Sequence, residues 1–194
     1  MNLIEEVKQI KEGKIIAFPT ETSYGLACDP FNEKAVQELH QLKKEPFDKP
    51  VLLIVDSIQM IEEIAELNEK ARVLIETFMP GPLTIIAKKK KILPDFLSKK
   101  TIAFRISENE IARELSRKFG KPITATSANL HGQEPAFSPE EIRNYFGNIP
   151  IIDTGKLEKQ EPSTIYDITT NKIIRKGKIT KNRINKVLEK LKEF

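Results

Sequence analysis

Short hydroxyl side chains beside fixed cations suit phosphate and carboxylate ligands, because both ligands are anionic acceptors. This chain repeats that combination where apolar runs end. In Phe18-Pro19-Thr20-Glu21-Thr22-Ser23-Tyr24-Gly25-Leu26 an apolar run, Lys14 to Phe18, stops at a proline and is followed by oxygen-bearing side chains. Proline cannot donate to a sheet ladder and glycine reaches backbone angles closed to other residues, so the chain is expected to leave a sheet here. Thr20 to Tyr24 are then presented at its edge. The same grammar recurs at Thr101 with Arg105, Ser127 with Asn129, Ser163 with Thr164, and Arg175 with Lys176. Lys43 stands at a helix end, just before a loop bounded by Pro46 and Pro50.

Each residue also has a plainer reading. Thr20 and Thr22 can satisfy a turn, Lys43 can complement a helix C-terminus, Arg105 can pair with a carboxylate on the sheet, and Ser127 and Asn129 are turn formers. Other chemistries find no support. The chain holds no G-x-x-x-x-G-K-[ST], G-x-G-x-x-G or H-E-x-x-H. His40 and His131 are the only histidines, and neither has a nucleophile partner in the sequence. Cys28 is the single cysteine, read as a small buried residue, which excludes an internal disulfide and argues against a cysteine-based zinc site.

The elements that must position these residues follow from periodicity. Leu3, Val7 and Ile10 mark an opening helix and Ala35, Val36, Leu39 and Leu42 a second. Residues 57–66 and 69–79 read as consecutive helices, the latter stopped by Pro80-Gly81-Pro82. Ser107 to Glu110 and Ser138 to Glu141 read as capping boxes opening two more, and Ile184, Val187, Leu188 and Leu191 mark a closing helix. Strands are expected at 51–55, 83–87, 101–106, 123–125, 149–153, 164–168 and 173–174. The lysine run Lys88 to Lys91 reads as a solvated hairpin tip, and is the feature that would suit RNA. Strands and helices mix without strict alternation, so the fold class is α/β with a twisted, open, mixed sheet flanked by helices. No linker, repeat or low-complexity stretch divides the chain, which reads as one domain over residues 1–194.

Composition sets the bounds. With 39% hydrophobic and 31% charged residues, the 194-residue chain can bury a full core and stay soluble. No apolar run is long enough for a membrane span, and the acidic N-terminal stretch argues against a secretory signal, so a cytoplasmic protein is expected. The net charge of +4 permits anionic partners without demanding them.

Taken in order, several stretches resemble the YrdC-like family, which includes the threonylcarbamoyl-AMP synthases of tRNA modification. They are Pro19 to Leu26, Lys43 with Pro46 and Lys49-Pro50, Pro80 to Thr84, Thr101 to Arg105, Ser127-Ala128-Asn129, Ser163 to Asp167 and Arg175-Lys176-Gly177. The resemblance spans nearly the whole chain and implies the short, single-domain type with a basic concave pocket. It implies a nucleotidyltransferase reaction that joins L-threonine, bicarbonate and ATP into threonylcarbamoyl-AMP, releasing pyrophosphate. It implies that Thr20, Arg105 and Ser163 contact threonine. Lys43, Thr101, Ser127, Asn129 and Arg175 would hold ATP, with Mg2+ accompanying the phosphates. No residue is singled out as acid, base or nucleophile. A hand-over of the product to a threonylcarbamoyl-transferase complex is expected.

One departure stands out. The family usually carries Lys-x-Arg where this chain has Lys43-Lys44-Glu45. Lys44 or Lys49 could substitute for the missing cation, or activity could be reduced; the orientation expected for Glu45 is toward solvent. Ser107, where proline often follows the Arg105 strand, is a minor departure. The competing function is a YrdC-like module that binds double-stranded RNA or tRNA without synthase activity. Carbamoyl transfer in metal-centre maturation ranks behind both, because the accompanying domains and zinc motifs of those larger proteins are missing.

Overall fold

The computed structural model describes residues 2–191. Met1 and residues 192–194, at the ends of the expected domain, lie outside the described residues. The strands are β1 (Ile16–Pro19), β2 (Tyr24–Ala27), β3 (Leu52–Val55), β4 (Leu83–Lys88), β5 (Thr101–Ile106), β6 (Ile123–Thr124), β7 (Thr126–Ser127), β8 (Thr164–Asp167) and β9 (Lys172–Arg175). The helices are α1 (Ile4–Lys11), α2 (Glu33–Lys43), α3 (Ile58–Ile64), α4 (Glu69–Phe78), α5 (Glu110–Phe119), α6 (Pro139–Phe146) and α7 (Lys181–Lys190). Strands β1, β2 and β7 form a small antiparallel sheet. A six-stranded sheet runs β6-β3-β5-β4-β8-β9, parallel at β3/β5 and β4/β8 and antiparallel elsewhere. The expected mixed sheet is therefore present.

Register assigns its two faces. Directly paired residues share a face, and side chains alternate along each strand. Leu53, Val55, Phe104, Ile85 and Tyr166 point to one side and join the larger core, with residues of α2, α3, α4, α6 and α7. The other side carries Ile54 opposite Arg105, Ala103 opposite Ile86, Thr84 opposite Ile165, and Ile86 opposite Asp167. Helices α1 and α5 cover only the Ile54 end of that side, through Val7, Ile10, Ala112, Leu115 and Phe119. Each larger side chain of that set, valine, isoleucine, leucine or phenylalanine, contributes about 1.5–3 kcal/mol when fully buried. Farther along, Ile86, Ala103, Ile165 and Asp167 are only half-buried. One face of the sheet is thus left partly open over β5, β4 and β8.

Several local expectations are corrected. Helix α5 is capped by Asn109, whose side chain accepts from the amides of Ile111 (3.0 Å) and Ala112 (3.4 Å), so Ser107 opens no capping box. Ser107 instead turns its hydroxyl to Glu21. The Ser138/Glu141 box at α6 is present as expected. Residues 149–153 form no strand; Ile151 makes an isolated bridge to Ala17. The lysine run is not a simple solvated tip, because the chain makes an excursion between Lys88 and Thr101. There the Lys89 ammonium turns inward, donating to Asp95 at 2.7 Å and to the Leu93 carbonyl at 2.8 Å.

Candidate active site

The Thr20–Ser23 segment is the tip of the β1–β2 hairpin. Thr20 donates to the Ser23 carbonyl at 2.7 Å and accepts from the amides of Thr22 and Ser23, which closes the turn. Tyr24, expected at the edge, is fully buried in β2; its hydroxyl donates to the Gly155 carbonyl at 2.8 Å. The tip sends Glu21 toward the open face of the large sheet. There Arg105 Nη1 donates to Glu21 Oε1 at 2.8 Å, and the Ser107 hydroxyl donates to the other carboxylate oxygen.

Arg105 is almost completely buried, and among the described residues its Nε has no hydrogen-bond partner. Burial pulls its guanidinium below the ordinary value, and the Glu21 carboxylate opposes that pull. Arg175, on the edge strand β9, is lowered by burial and by the nearby charge of Arg105. Its guanidinium donates to the Ser163 carbonyl (2.9 and 3.1 Å) and hydroxyl (2.9 Å). The Ser163 hydroxyl also shares a 2.9 Å bond with Thr84 Oγ1. Two neighbouring guanidinium groups are thus held over the open face, one paired with a carboxylate and the other with neutral oxygens.

A second group gathers at the C-terminus of α2. Lys44 takes a left-handed conformation (φ 54°) that ends the helix and folds Glu45 back, its amide donating to the His40 carbonyl at 2.9 Å. Glu45 is buried, not solvent-facing. Its Oε1 lies 2.5 Å from Lys49 Nζ, 3.6 Å from Lys43 Nζ and 3.9 Å from His131 Nδ1. The expected outward orientation fails because the left-handed turn at Lys44 returns the chain toward two ammonium groups. Lys43 Nζ also donates to the carbonyls of Ser127 and, at 3.0 Å, Asn129. Burial lowers its pKa to about 8, against the raising influence of Glu45. The Ser127 hydroxyl donates to Asn129 Oδ1 at 2.5 Å, and the Asn129 amide donates to the carbonyls of Leu130 (2.9 Å) and Gln133 (3.0 Å). Because Ser127 pairs with Gly25 in β2, this turn sits beside the strand that leaves the hairpin tip.

The fold therefore brings together Thr20, Arg105, Ser163 and Arg175 in one group and Lys43, Ser127 and Asn129 in another. Thr101 joins neither. It begins β5 opposite Lys88, about 13 Å along the strand from Arg105. It lines a separate cavity with Lys88, Lys91, Lys99 and Lys100. Sequence reasoning left Glu21, Thr84 and Ser107 without site roles, and named Lys49 only as one of two substitutes for the missing cation. Glu21 had a signal, being the one carboxylate in a run of hydroxyls; the others become visible only through cross-strand register or loop closure.

A family model described as "Telomere recombination" and named for Sua5, YciO and YrdC matches residues 8–177. The chain belongs to the Sua5/YciO/YrdC family. Among family members, a Methanocaldococcus jannaschii relative is 41% identical over 169 residues, covering 86% of this chain and 80% of its own. The threonylcarbamoyl-AMP synthase of Photorhabdus laumondii is 37% identical over 174 residues, covering 87% and 92%. The crystal structure of P. abyssi Sua5 complexed with L-threonine matches with a TM-score of 0.89 at 34% identity, over 95% of this chain and 56% of the Sua5 chain. The chain thus spans little more than half the length of that Sua5. Among the described residues no helix is long and apolar enough to cross a membrane.

Proposed function

We propose that this Sua5/YciO/YrdC-family protein is a threonylcarbamoyl-AMP synthase, a nucleotidyltransferase that condenses L-threonine, bicarbonate and ATP. The observation that carries this reading is the pair of neighbouring guanidinium groups, Arg105 and Arg175, above a half-buried sheet face and adjoining hydroxyl groups. The names of its relatives and the threonine bound by P. abyssi Sua5 support it.

The chemistry asks for this kind of site. The threonine amine captures carbon dioxide, derived from bicarbonate, as a carbamate. A carbamate oxygen then attacks the α-phosphorus of ATP, an O–P bond forms, the bond to the β-phosphate oxygen breaks, and pyrophosphate leaves. Both partners are anions, so positive charge and placement matter more than a strong base. Arg105 and Arg175 would lower the repulsion where carboxylate, carbamate and phosphate approach. Thr20 and Ser163, their rotamers fixed by hydrogen bonds, would line the threonine side; Ser127 and Asn129 would face the nucleotide. Among the described residues no cluster of three His, Cys, Asp or Glu is arranged to hold a cation. Mg2+ would therefore come held by the phosphates and water, shielding the departing pyrophosphate. The activated product suits a later transfer to tRNA by a threonylcarbamoyl-transferase complex.

Incubation with ATP, L-threonine and bicarbonate, with detection of pyrophosphate and the adenylate, tests the proposal. Release is expected to need threonine and bicarbonate together. Serine should react more slowly without being inert, since one methyl group discriminates by about 1–3 kcal/mol. Pyrophosphate formed equally well with alanine would remove hydroxyl reading from the site, and no adenylate at all would remove the synthase assignment.

A further inference from the structure

We propose that Ser107 is a positioning residue for Arg105. By holding one oxygen of Glu21, it confines that carboxylate to a single contact and keeps the other edge of the guanidinium open to substrate. The inference rests on the threonine-binding reading above. It adds the group that stops an internal carboxylate from taking the ligand's place.

A guanidinium group offers a carboxylate two donor forks, one made by Nε and Nη2 and the other by the two Nη atoms. Among the described residues Arg105 makes one side-chain hydrogen bond, from Nη1 to Glu21 Oε1 at 2.8 Å. Its buried Nε–H has no acceptor there. Contact through Nη1 alone leaves Nε and Nη2 together, and these two donors match a carboxylate in bidentate fashion. The side chains of Arg105 and Glu21 are 4% and 12% exposed, so water screens neither charge well. A Glu21 free to turn, tethered beside the guanidinium, would compete strongly with any incoming carboxylate.

Ser107 prevents that. A serine hydroxyl has one proton to donate. Here the oxygen accepts from the Asn109 amide at 3.2 Å, and the proton is directed to Glu21 Oε2. Ser107 is fully buried, and Arg113 Nη1 donates to its carbonyl at 2.7 Å, so the hydroxyl has a fixed origin ahead of α5. With Oε2 engaged, Glu21 reaches Arg105 through Oε1 alone. Arg175 is close enough for its charge to be felt at Arg105. The formal sum of the two arginines and Glu21 therefore stays positive, which leaves one charge for a ligand carboxylate to meet.

Calorimetric titration of wild type, Ser107→Ala, Glu21→Gln and the double variant with L-threonine and with ATP tests the assignment, alongside steady-state kinetics. Ser107→Ala is expected to weaken threonine about tenfold, the low end for loss of one charge-assisted hydrogen bond. It should raise the threonine KM more than it lowers kcat, and leave ATP affinity within about twofold. In the Glu21→Gln background a neutral amide competes poorly for Arg105, so the same serine change should cost less than about twofold. If alanine disturbs the start of α5, Ser107→Cys keeps the size and weakens the donor, and should shift threonine binding in the same direction. Unchanged threonine affinity in the Ser107 variants, an equal loss in both backgrounds, or a loss shared by threonine and ATP would overturn the proposal. Threonine binding that follows this cycle in a protein forming no adenylate would remove the synthase reading and leave Ser107 in its role. Adenylate formation without the cycle would do the reverse, and a protein that binds no threonine overturns both.

Discussion

Glu45 is the residue whose neighbours change its meaning most. In an exposed loop, exchanging it for alanine would alter little. Buried against Lys43, its removal leaves an ammonium group with carbonyl partners but without its nearest countercharge. Breaking a buried pair in that way typically costs about 3–5 kcal/mol, and the exposure of Lys49 tempers it toward the lower end. Glu45→Ala is therefore expected to lower the melting temperature by about 6–12 °C, at about 2–4 °C per kcal/mol for a chain of this size. Differential scanning calorimetry reads this directly, and an unchanged melting temperature would return Glu45 to the solvent. Glu21 poses the same problem on the other side of the site. It is the countercharge of buried Arg105, so the carboxylate in the hairpin tip keeps a charge in place as much as it could meet a ligand.

At the scale of elements, the edge of the large sheet decides where Arg175 and Ser163 meet. Strand β9 pairs with β8 through a register irregularity beside Ile165/Tyr166, and the chain beyond Arg175 passes directly over Pro162 and Ser163. A Cβ added at Gly177 would lie 2.1 Å from the Pro162 carbonyl oxygen and 2.8 Å from the Thr164 amide nitrogen. Backbone atoms cannot yield as a flexible side chain can, so the glycine is required by close approach. Gly177→Ala should push the segment outward, loosen the Arg175–Ser163 contacts and cost about 1–3 kcal/mol, as overpacking does elsewhere. Chemical denaturation gives the stability loss. Threonine titration should show weakened binding with ATP affinity less affected, and unaltered threonine binding would show that this edge does not shape the site.

Over the whole molecule, the open stretch of sheet face connects the hairpin tip, the β8–β9 edge and the strands between them, while the α2 group lies beside β2. A ligand pair bridging these groups should stabilise the protein more than either alone. At a ligand concentration of about 100 times its dissociation constant, binding adds about 2.7 kcal/mol. ATP with L-threonine is expected to raise the melting temperature by about 5–10 °C. The competing RNA-binding module predicts the reverse pattern, with double-stranded RNA stabilising and the small ligands inert. Thermal shift measurements with each ligand separate the two.

Much of this was legible in the residues themselves. The helix periodicities of α2, α4 and α7 and the apolar runs of β3, β4 and β5 are local properties, and their types were readable because burial imposes a short-range pattern. Thr20, Arg105, Ser163 and Arg175 stood out as hydroxyls and cations at strand ends, but each type also serves turns and ion pairs, and their expected site roles came from the resemblance carried by the order of the motifs. Tertiary structure decided the rest. That Thr101 lies far from Arg105 follows from the rise of a strand, whereas the meeting of Arg175 with Ser163 follows from cross-strand register, which no short window contains. The pairing of Glu21 with Arg105 joins residues 84 positions apart, and no periodicity records it. The inward turn of Glu45 depends on one left-handed residue, Lys44, where neither side-chain type nor spacing calls for that conformation. Composition and pattern specify which groups a chain can offer. Only the folded backbone sets which charge must be answered by which neighbour, because the cost of an unpaired charge exists only once water has been excluded.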